Sequence, residues 1–428
     1  MDESPNQPVG MPVAPVVAPV AQPDRLPSFD LMRGIAVLGI LLANITAFAH
    51  VDLAYYWPPA LPGGGTEADR MVWLAQFVLV DGKLRGLFTL LFGAGLVLFI
   101  ERAGGEERAI FLQLRRLGWL ALFGALHFYL LFRGDILFGY ACGGMVALMF
   151  VRLSGERLLA LGLIWSVVGA AFQVLAYLTP ALVELGGDPA AANAMSYYRE
   201  YWQGQLTDAA EQARLMTGGS YGEILHYRVV EESGLLANYA RYALFETIPL
   251  MLLGMGLYRC GIYAPAGGRT PGWGLALVAV AAGLALNLAV GLWVGSHGFG
   301  PFTTMLSFFG LSNLANLPLL LGGTWLLAHW AARPHHSWLA ERLEQAGRMA
   351  LSNYVGTSLV MMLLFHGWAG GLFGQLGRVE LLLVVVLGWL LMLKFSHLWL
   401  ARYRQGPLEW LWRCLTYWRR FPLRRAAE

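Results

Sequence analysis

Runs of about twenty apolar residues recur along nearly the whole chain, each long enough to cross a hydrocarbon core of about 30 Å as a helix. Inside lipid every backbone N–H and C=O has to bond within its own segment, which makes the helix the natural form of such a run. The runs fall at about 31 to 49, 84 to 101, 117 to 132, 134 to 151, 157 to 179, 239 to 258, 272 to 294, 302 to 331, 347 to 369 and 379 to 401. They predict an all-α, polytopic membrane bundle of about ten transmembrane helices. Composition agrees: 57% hydrophobic and 13% charged residues exclude a soluble globular domain. The stretch MVWLAQFVLV at 71 to 80 is too short to span alone and meets Asp81, Gly82, Lys83 and Arg85, so it reads as an interfacial or re-entrant piece.

Arginines set the orientation. With the N-terminus inside, the inner loops carry Arg102, Arg108, Arg115, Arg116, Arg152, Arg157, Arg259, Arg269, Arg333, Arg342 and Arg348, and the outer ones little beyond Arg70, Arg133 and Arg378. Both termini are therefore expected in the cytoplasm. Residues 1 to 24, rich in Pro, Ala and Val, read as a flexible cytoplasmic tail. The membrane helices occupy 25 to 180 and 237 to 401. Between them, 181 to 236 form a polar, helical insertion on the outer side, read as a lid over the membrane domain or as a substrate gate. The last segment, 402 to 428, alternates aromatic and basic residues as a helix lying on anionic headgroups does. A net charge of +3 without a solvated basic face excludes nucleic-acid binding, and Cys142, Cys260 and Cys414 form no metal or disulfide pattern. No metal site is expected.

A charged group in hydrocarbon costs at least about 2.5 kcal/mol, so those present need a partner or a role. They form two belts. The inner belt holds Asp30 and Arg33, three apart on one helix face, with Arg115 and Arg116, Asn353, Lys394 and His397. Asp30 and Arg33 can pair, cap the helix start or bind a ligand, and Arg115 and Arg116 either fix topology or hold the phosphates of an acyl carrier. The outer belt holds Asn44, His50, Asp81, Lys83, Arg85, His127, Arg133, Asp135, Glu246 and His366. His127 and Asp135 lie on consecutive helices joined by a tight turn, so the carboxylate can fix the imidazole tautomer and raise its basicity, the minimal equipment of a general base. Against this, a histidine in a helical bundle is commonly a hydrogen-bonded packing residue, and Asp135 has Arg133 as another partner. LFGAG at 91 to 95 and GMG at 254 to 256 look like close helix contacts, since no strand precedes them. The chain has no P-loop, GxSxG or HExxH motif.

RLPSFDLMRGIAVLGILLANI (25 to 45), GKLRGLFTLLFGAG (82 to 95), RRLGWLALFGALHFYLLFRGDILFGYACGG (115 to 144), MLLGMGLYR (251 to 259), GRMALSNYVGTSL (347 to 359) and GPLEWLWRCLTYW (406 to 418) resemble the successive blocks of the YeiB family of bacterial membrane proteins. That resemblance covers nearly the whole chain and implies the bacterial inner (cytoplasmic) membrane. The first span is also similar to that of a wider transmembrane acyltransferase group. In the polysaccharide O-acyltransferases of that group a His follows the Asp of a D-x-x-R motif by fourteen residues; here, counted from Asp30, Asn44 stands there. The heparan-glucosaminide acetyltransferase type is similar in having Asn at that place and a His further along, which makes His50 or His127 the candidate base. Asp135 favours His127.

These readings converge on acyl transfer across the membrane. A donor such as acyl-CoA approaches the inner belt, and His127, oriented by Asp135, activates the hydroxyl or amine of a small-molecule, glycan or lipid acceptor. Asn44 or Lys83 steadies the developing oxyanion. Asp81, Arg85, Asn353 and His366 complete the expected binding set. No permanently bound cofactor is expected; the partners are membrane lipids, and the acyltransferase likeness points to a homodimer. The rival from another class is a transporter or lipid-binding protein lined by the same polar belts, and no self-similarity between the halves supports it. A scaffold whose polar belts only hold helices together is the third reading.

Overall fold

The structure is a computed structural model describing residues 27–102, 106–186, 192–263, 272–333 and 337–425; the Pro-rich segment 1 to 24 lies outside them. The chain runs through α1 (Pro27–Ala49), a short α2 (Leu53–Tyr56), α3 (Glu67–Leu79), α4 (Lys83–Arg102), α5 (Glu106–Leu130), α6 (Leu137–Ala147) and α7 (Gly155–Gly186). The polar insertion supplies α8 (Ala192–Gly218), α9 (Tyr221–Val230) and α10 (Leu235–Tyr242). Then follow α11 (Ile248–Arg259), α12 (Trp273–Ser296), α13 (Pro301–Met305), α14 (Ser312–Ala331), α15 (Trp338–Arg348), α16 (Ala350–Phe365), α17 (Arg378–Arg402) and α18 (Pro407–Tyr417).

The chain is a helical membrane protein. Among the described residues seven helical stretches are long and apolar enough to cross a membrane, or eight when α15 and α16, bent by 85°, count as one span. The sequence suggested about ten. The two runs at 134 to 151 and 239 to 258 account for the difference from eight: the first is the short apolar helix Leu137–Phe150, the second α10 and α11 joined by a π-helical turn at Ala243–Thr247. The stretch 71 to 80 belongs to α3, which a break at Asp81 and Gly82 separates from α4; Gly82 takes φ +76°, open to glycine.

Burial locates the core. The window of α1 is 67% buried, against 22% for α12 and 28% for α17. Thus α1 is the central helix, whereas α7, α12 and α17 leave Ile164, Val168, Leu277, Val278, Leu383 and Leu387 exposed, an apolar belt that lipid covers. Glycines set the closest approach between α4 and α11: a methyl on Gly93 would lie 2.1 Å from the Met251 carbonyl oxygen, and one on Gly254 2.0 Å from that of Leu90.

Two ends of the bundle differ. At the insertion end, Leu215 and Met216 of α8 and Ile224 of α9 share a core with Phe48, Phe132 and Phe365, and the Gly367 N–H donates to the Met216 carbonyl at 2.8 Å. At the opposite, arginine end, α18 packs against protein: Trp412 Nε1 donates to the Arg116 carbonyl at 2.8 Å, and the Glu409 carboxylate accepts the Leu351 and Ser352 N–H groups at 2.8 and 3.0 Å and the Ser352 hydroxyl. The helix read as a headgroup anchor thereby walls a cavity.

Candidate functional site

At the C-terminal end of α5, the Leu131 and Phe132 N–H groups both fall back on the His127 carbonyl at 2.9 Å, so the chain turns tightly and Asp135 returns beside His127. Asp135 Oδ2 accepts the Phe138 N–H at 2.7 Å, capping α6, which leaves Oδ1 2.9 Å from His127 Nδ1. Arg133, the competing partner, turns away to Asp52 (2.7 Å) and Glu232 (3.1 Å). Gly124 makes room, since a methyl there would sit 2.9 Å from Asp135 Oδ2. Because a carboxylate only accepts, the imidazole carries its proton on Nδ1 and presents a lone pair at Nε2. Ser358 of α16 meets it, its Oγ 2.8 Å from Nε2. The His127 and Asp135 side chains are 1% and 0% exposed, so the pair lies away from bulk water.

A cavity of about 370 Å³ runs from the arginine end toward this relay. Arg33, Arg102, Arg116, Arg348 and Arg413 line its mouth, with the Asp30–Arg33 ion pair at 3.5 Å. Arg116 lies over the Trp412 ring at 4.1 Å, and buried Gln113 has an Oε1 without a hydrogen bond. Apolar walls from Val37, Phe88 and Phe92 lead inward to Ile136, Leu137 and Tyr354. The Tyr354 ring stands 4.8 Å from that of His127. Beyond it a void of about 10 Å³ is lined by Asn44, Phe48, Thr357 and Ser358, and it shares Val37, Ile40 and Tyr354 with the large cavity. Tyr354 therefore stands between cavity and relay.

The insertion end is closed. Phe48 stacks on Phe132 with centroids 3.9 Å apart. Around Arg133, burial pushes the Glu232 carboxyl above its ordinary value, an effect that the Arg133 charge opposes and the Asp52 charge reinforces.

The other expected residues lie elsewhere. Asn44 joins the void, and Asp30, Arg33 and Arg116 join the cavity, whereas Arg115 lies over Phe111 and Trp418 at 5.8 and 6.0 Å. Lys83 Nζ donates to the Phe77 carbonyl (2.5 Å) and Asn287 Oδ1 (2.9 Å), Asp81 accepts from the Tyr55 hydroxyl (3.4 Å), and Arg85 forks onto Glu246 (2.6 and 2.8 Å). These three form a second polar cluster. Asn353 ties α16 to α17 through Ser396 Oγ at 2.9 Å; His366 accepts from Trp368 Nε1 at 3.3 Å, and His50 Nε2 lies 2.7 Å from the Leu376 carbonyl. Among the described residues no group of three or more His, Cys, Asp or Glu side chains is placed to hold a metal ion. Ser358, Tyr354 and Gln113 escaped the sequence reading. Tyr354, Thr357 and Ser358 stand at i, i+3 and i+4, a polar stripe on one helix face that the block GRMALSNYVGTSL already displays.

A family model described as a protein of unknown function (DUF418) matches residues 257–419. The chain is 30% identical over 404 residues to the uncharacterized protein YeiB of Escherichia coli (strain K12), covering 92% of this chain and 96% of that protein. It is 28% identical over 415 residues to the uncharacterized protein YxaH of Bacillus subtilis (strain 168), with 92% and 94% covered. No solved structure matches.

Proposed function

The chain belongs to the YeiB family, and from that premise and the geometry of its cavity we propose that it is a membrane-bound acyltransferase of the bacterial inner membrane. In this reading the arginine end and both termini face the cytoplasm, as basic loops do. A thioester donor of the acyl-CoA class enters the cavity with its phosphates among the mouth arginines, whose planar guanidinium groups match phosphate oxygens. Its arm lies along Val37, Phe88 and Phe92, where the unsatisfied Gln113 Oε1 accepts an amide N–H. The donor is itself a substrate, so no resident cofactor is called for.

The reacting carbonyl then lies near Tyr354. His127 is the general base, and Asp135 is a positioning residue that holds the Nδ1 proton and stabilises the imidazolium formed when Nε2 takes a proton. The acceptor is a hydroxyl or amine of a glycan or lipid at the insertion end. The observation that carries this reading is a cavity that opens among arginines and ends at Tyr354, whose ring stands 4.8 Å from that of a histidine paired with an acid.

Transfer of labelled acetyl from acetyl-CoA to glycans and lipids of the native envelope, followed with purified protein in nanodiscs, tests it. His127→Ala is expected to abolish donor-dependent labelling; unchanged labelling by that variant overturns the assignment. Passage of an intact ligand without covalent change would instead establish transport.

A further inference from the structure

His127 has no room for an acceptor. Its Nε2 is taken by Ser358 Oγ at 2.8 Å, and the space beyond Tyr354 is a void of about 10 Å³, at the lower limit of what one water needs. On the far side, Phe48 stacked on Phe132 closes the approach, roofed by Leu215, Met216 and Ile224 of the insertion. A donor in the large cavity and an acceptor arriving from the insertion end therefore do not reach the imidazole together in this conformation. The group that does touch it is a serine hydroxyl facing the void next to the donor cavity.

We propose that Ser358 is the nucleophile of a two-step transfer, holding the acyl group as an ester between a donor half-reaction from the arginine end and an acceptor half-reaction from the insertion end. The inference rests on the acyl-transfer reading above. In the first half, with the Tyr354 ring turned aside so that the void joins the donor cavity, Ser358 Oγ attacks the thioester carbonyl carbon while His127 Nε2 takes the hydroxyl proton, with Asp135 holding Nδ1–H. Asn44, lining the same void, supplies an amide donor for the oxygen that becomes negative. Collapse breaks the carbon–sulfur bond, and the thiolate leaves as a thiol with the proton from His127. In the second half, the acceptor hydroxyl or amine gives its proton to His127 and attacks the ester carbon; Ser358 Oγ leaves and recovers that proton. Every proton removed is returned, and no oxidant or metal is required. An acyl-serine also suits a relay with a cavity on one side and the Phe48–Phe132 stack closing the other, since the stored ester lets each substrate come and go alone.

The test uses the full-length protein in nanodiscs, with labelled acetyl-CoA as donor probe and a glycan and lipid extract of the native envelope as acceptor probe. Without acceptor, wild type is expected to release a burst of up to one thiol per chain and to carry acetyl on the peptide containing Ser358. Ser358→Ala is expected to lose the label and at least about 10³-fold in transfer rate. Ser358→Cys, which keeps a nucleophile of similar size, is expected to carry a hydroxylamine-labile thioester, and this shows that a silent Ser358→Ala is a chemical defect and not a misfolded chain. Wild-type transfer by Ser358→Ala, with His127→Ala inactive, overturns the inference and leaves direct attack by the acceptor. Loss of transfer in Ser358→Ala with no acyl peptide in wild type or Ser358→Cys overturns it as well, reducing Ser358 to a hydrogen-bonding partner. No donor-dependent acylation by wild type overturns the acyl-transfer reading itself.

Discussion

Replacing Asp135 by Asn changes one atom of the relay and leaves its shape. Both carboxylate oxygens are acceptors, Oδ1 for His127 Nδ1–H at 2.9 Å and Oδ2 for the Phe138 N–H at 2.7 Å. An amide offers one acceptor and one NH₂, so in either orientation a buried N–H faces another donor, at a cost of about 1–3 kcal/mol. The imidazole escapes that clash by moving its proton to Nε2. There it points at Ser358 and can no longer take the hydroxyl proton. In a serine–histidine–aspartate relay the same change costs about 10⁴ in kcat through this wrong tautomer, or about 5.4 kcal/mol of transition-state stabilisation. The assay is thiol release from acetyl-CoA by wild type and Asp135→Asn in nanodiscs, with kcat and KM for the donor resolved. The expected result is a fall in kcat of roughly 10³- to 10⁴-fold at little-changed KM, because the donor cavity is untouched. A variant within tenfold of wild type, or one whose loss lies wholly in KM, refutes the positioning role.

Two further outcomes follow from packing and charge. Gly254→Ala places a methyl 2.0 Å from the Leu90 carbonyl oxygen and forces α4 and α11 apart, so a loss of about 1–3 kcal/mol, read as a lower melting temperature, is expected, while Gly204→Ala, whose methyl meets nothing within 4 Å, should not destabilise. Glu232, raised by burial, gives up its proton at a higher pH in the folded protein than in the unfolded chain; the stability it contributes is present below the unfolded carboxyl value and lost as pH rises through the raised one. Glu232→Gln removes that limb, so melting curves of wild type and variant should diverge as pH rises through this window, and parallel curves would contradict it.

Long apolar runs were legible because each satisfies its own backbone, so α1, α4, α5, α7, α12, α14 and α17 follow from local sequence alone. Breaks inside runs were not. The π turns at Ala243–Thr247 and Leu306–Leu311 and the 85° bend at Met349 fall inside apolar runs, where composition carries no mark of a break. The contact of His127 with Asp135 was readable because only seven residues intervene. Ser358 lies 231 residues from His127, and one hydroxyl in an apolar helix ordinarily bonds its own backbone; the Tyr354 carbonyl, 3.3 Å from Ser358 Oγ, is the competing acceptor here. Arg115 and Arg116 looked equivalent in sequence, yet neighbours on a helix diverge by about 100°, and Arg116 is the one that lines the cavity.

Burial of polar groups alone does not distinguish a site in this protein. Arg378 is 2% exposed and held at three points, although its Nε has no hydrogen-bond partner: its Nη1 donates to Gln76 Oε1 at 2.9 Å, its Nη2 to the Ala54 carbonyl at 2.6 Å, and its backbone N–H to Asp69 Oδ1 at 2.6 Å. That network fastens α17 to α3. Lys83 does the same between the end of α3 and Asn287 of α12. Neither lines the 370 Å³ cavity or the void beside Ser358. The His127 relay is as buried as these locks, but one of its members, Ser358, borders a small void that shares Val37, Ile40 and Tyr354 with the arginine-lined cavity. A structural lock gains from closing such a space, since a cavity costs lost dispersion contacts and buried area. This chain instead keeps 370 Å³ open on the far side of Tyr354 from its acid–imidazole pair and gives up those contacts there; in the reading proposed above, the bound donor restores them.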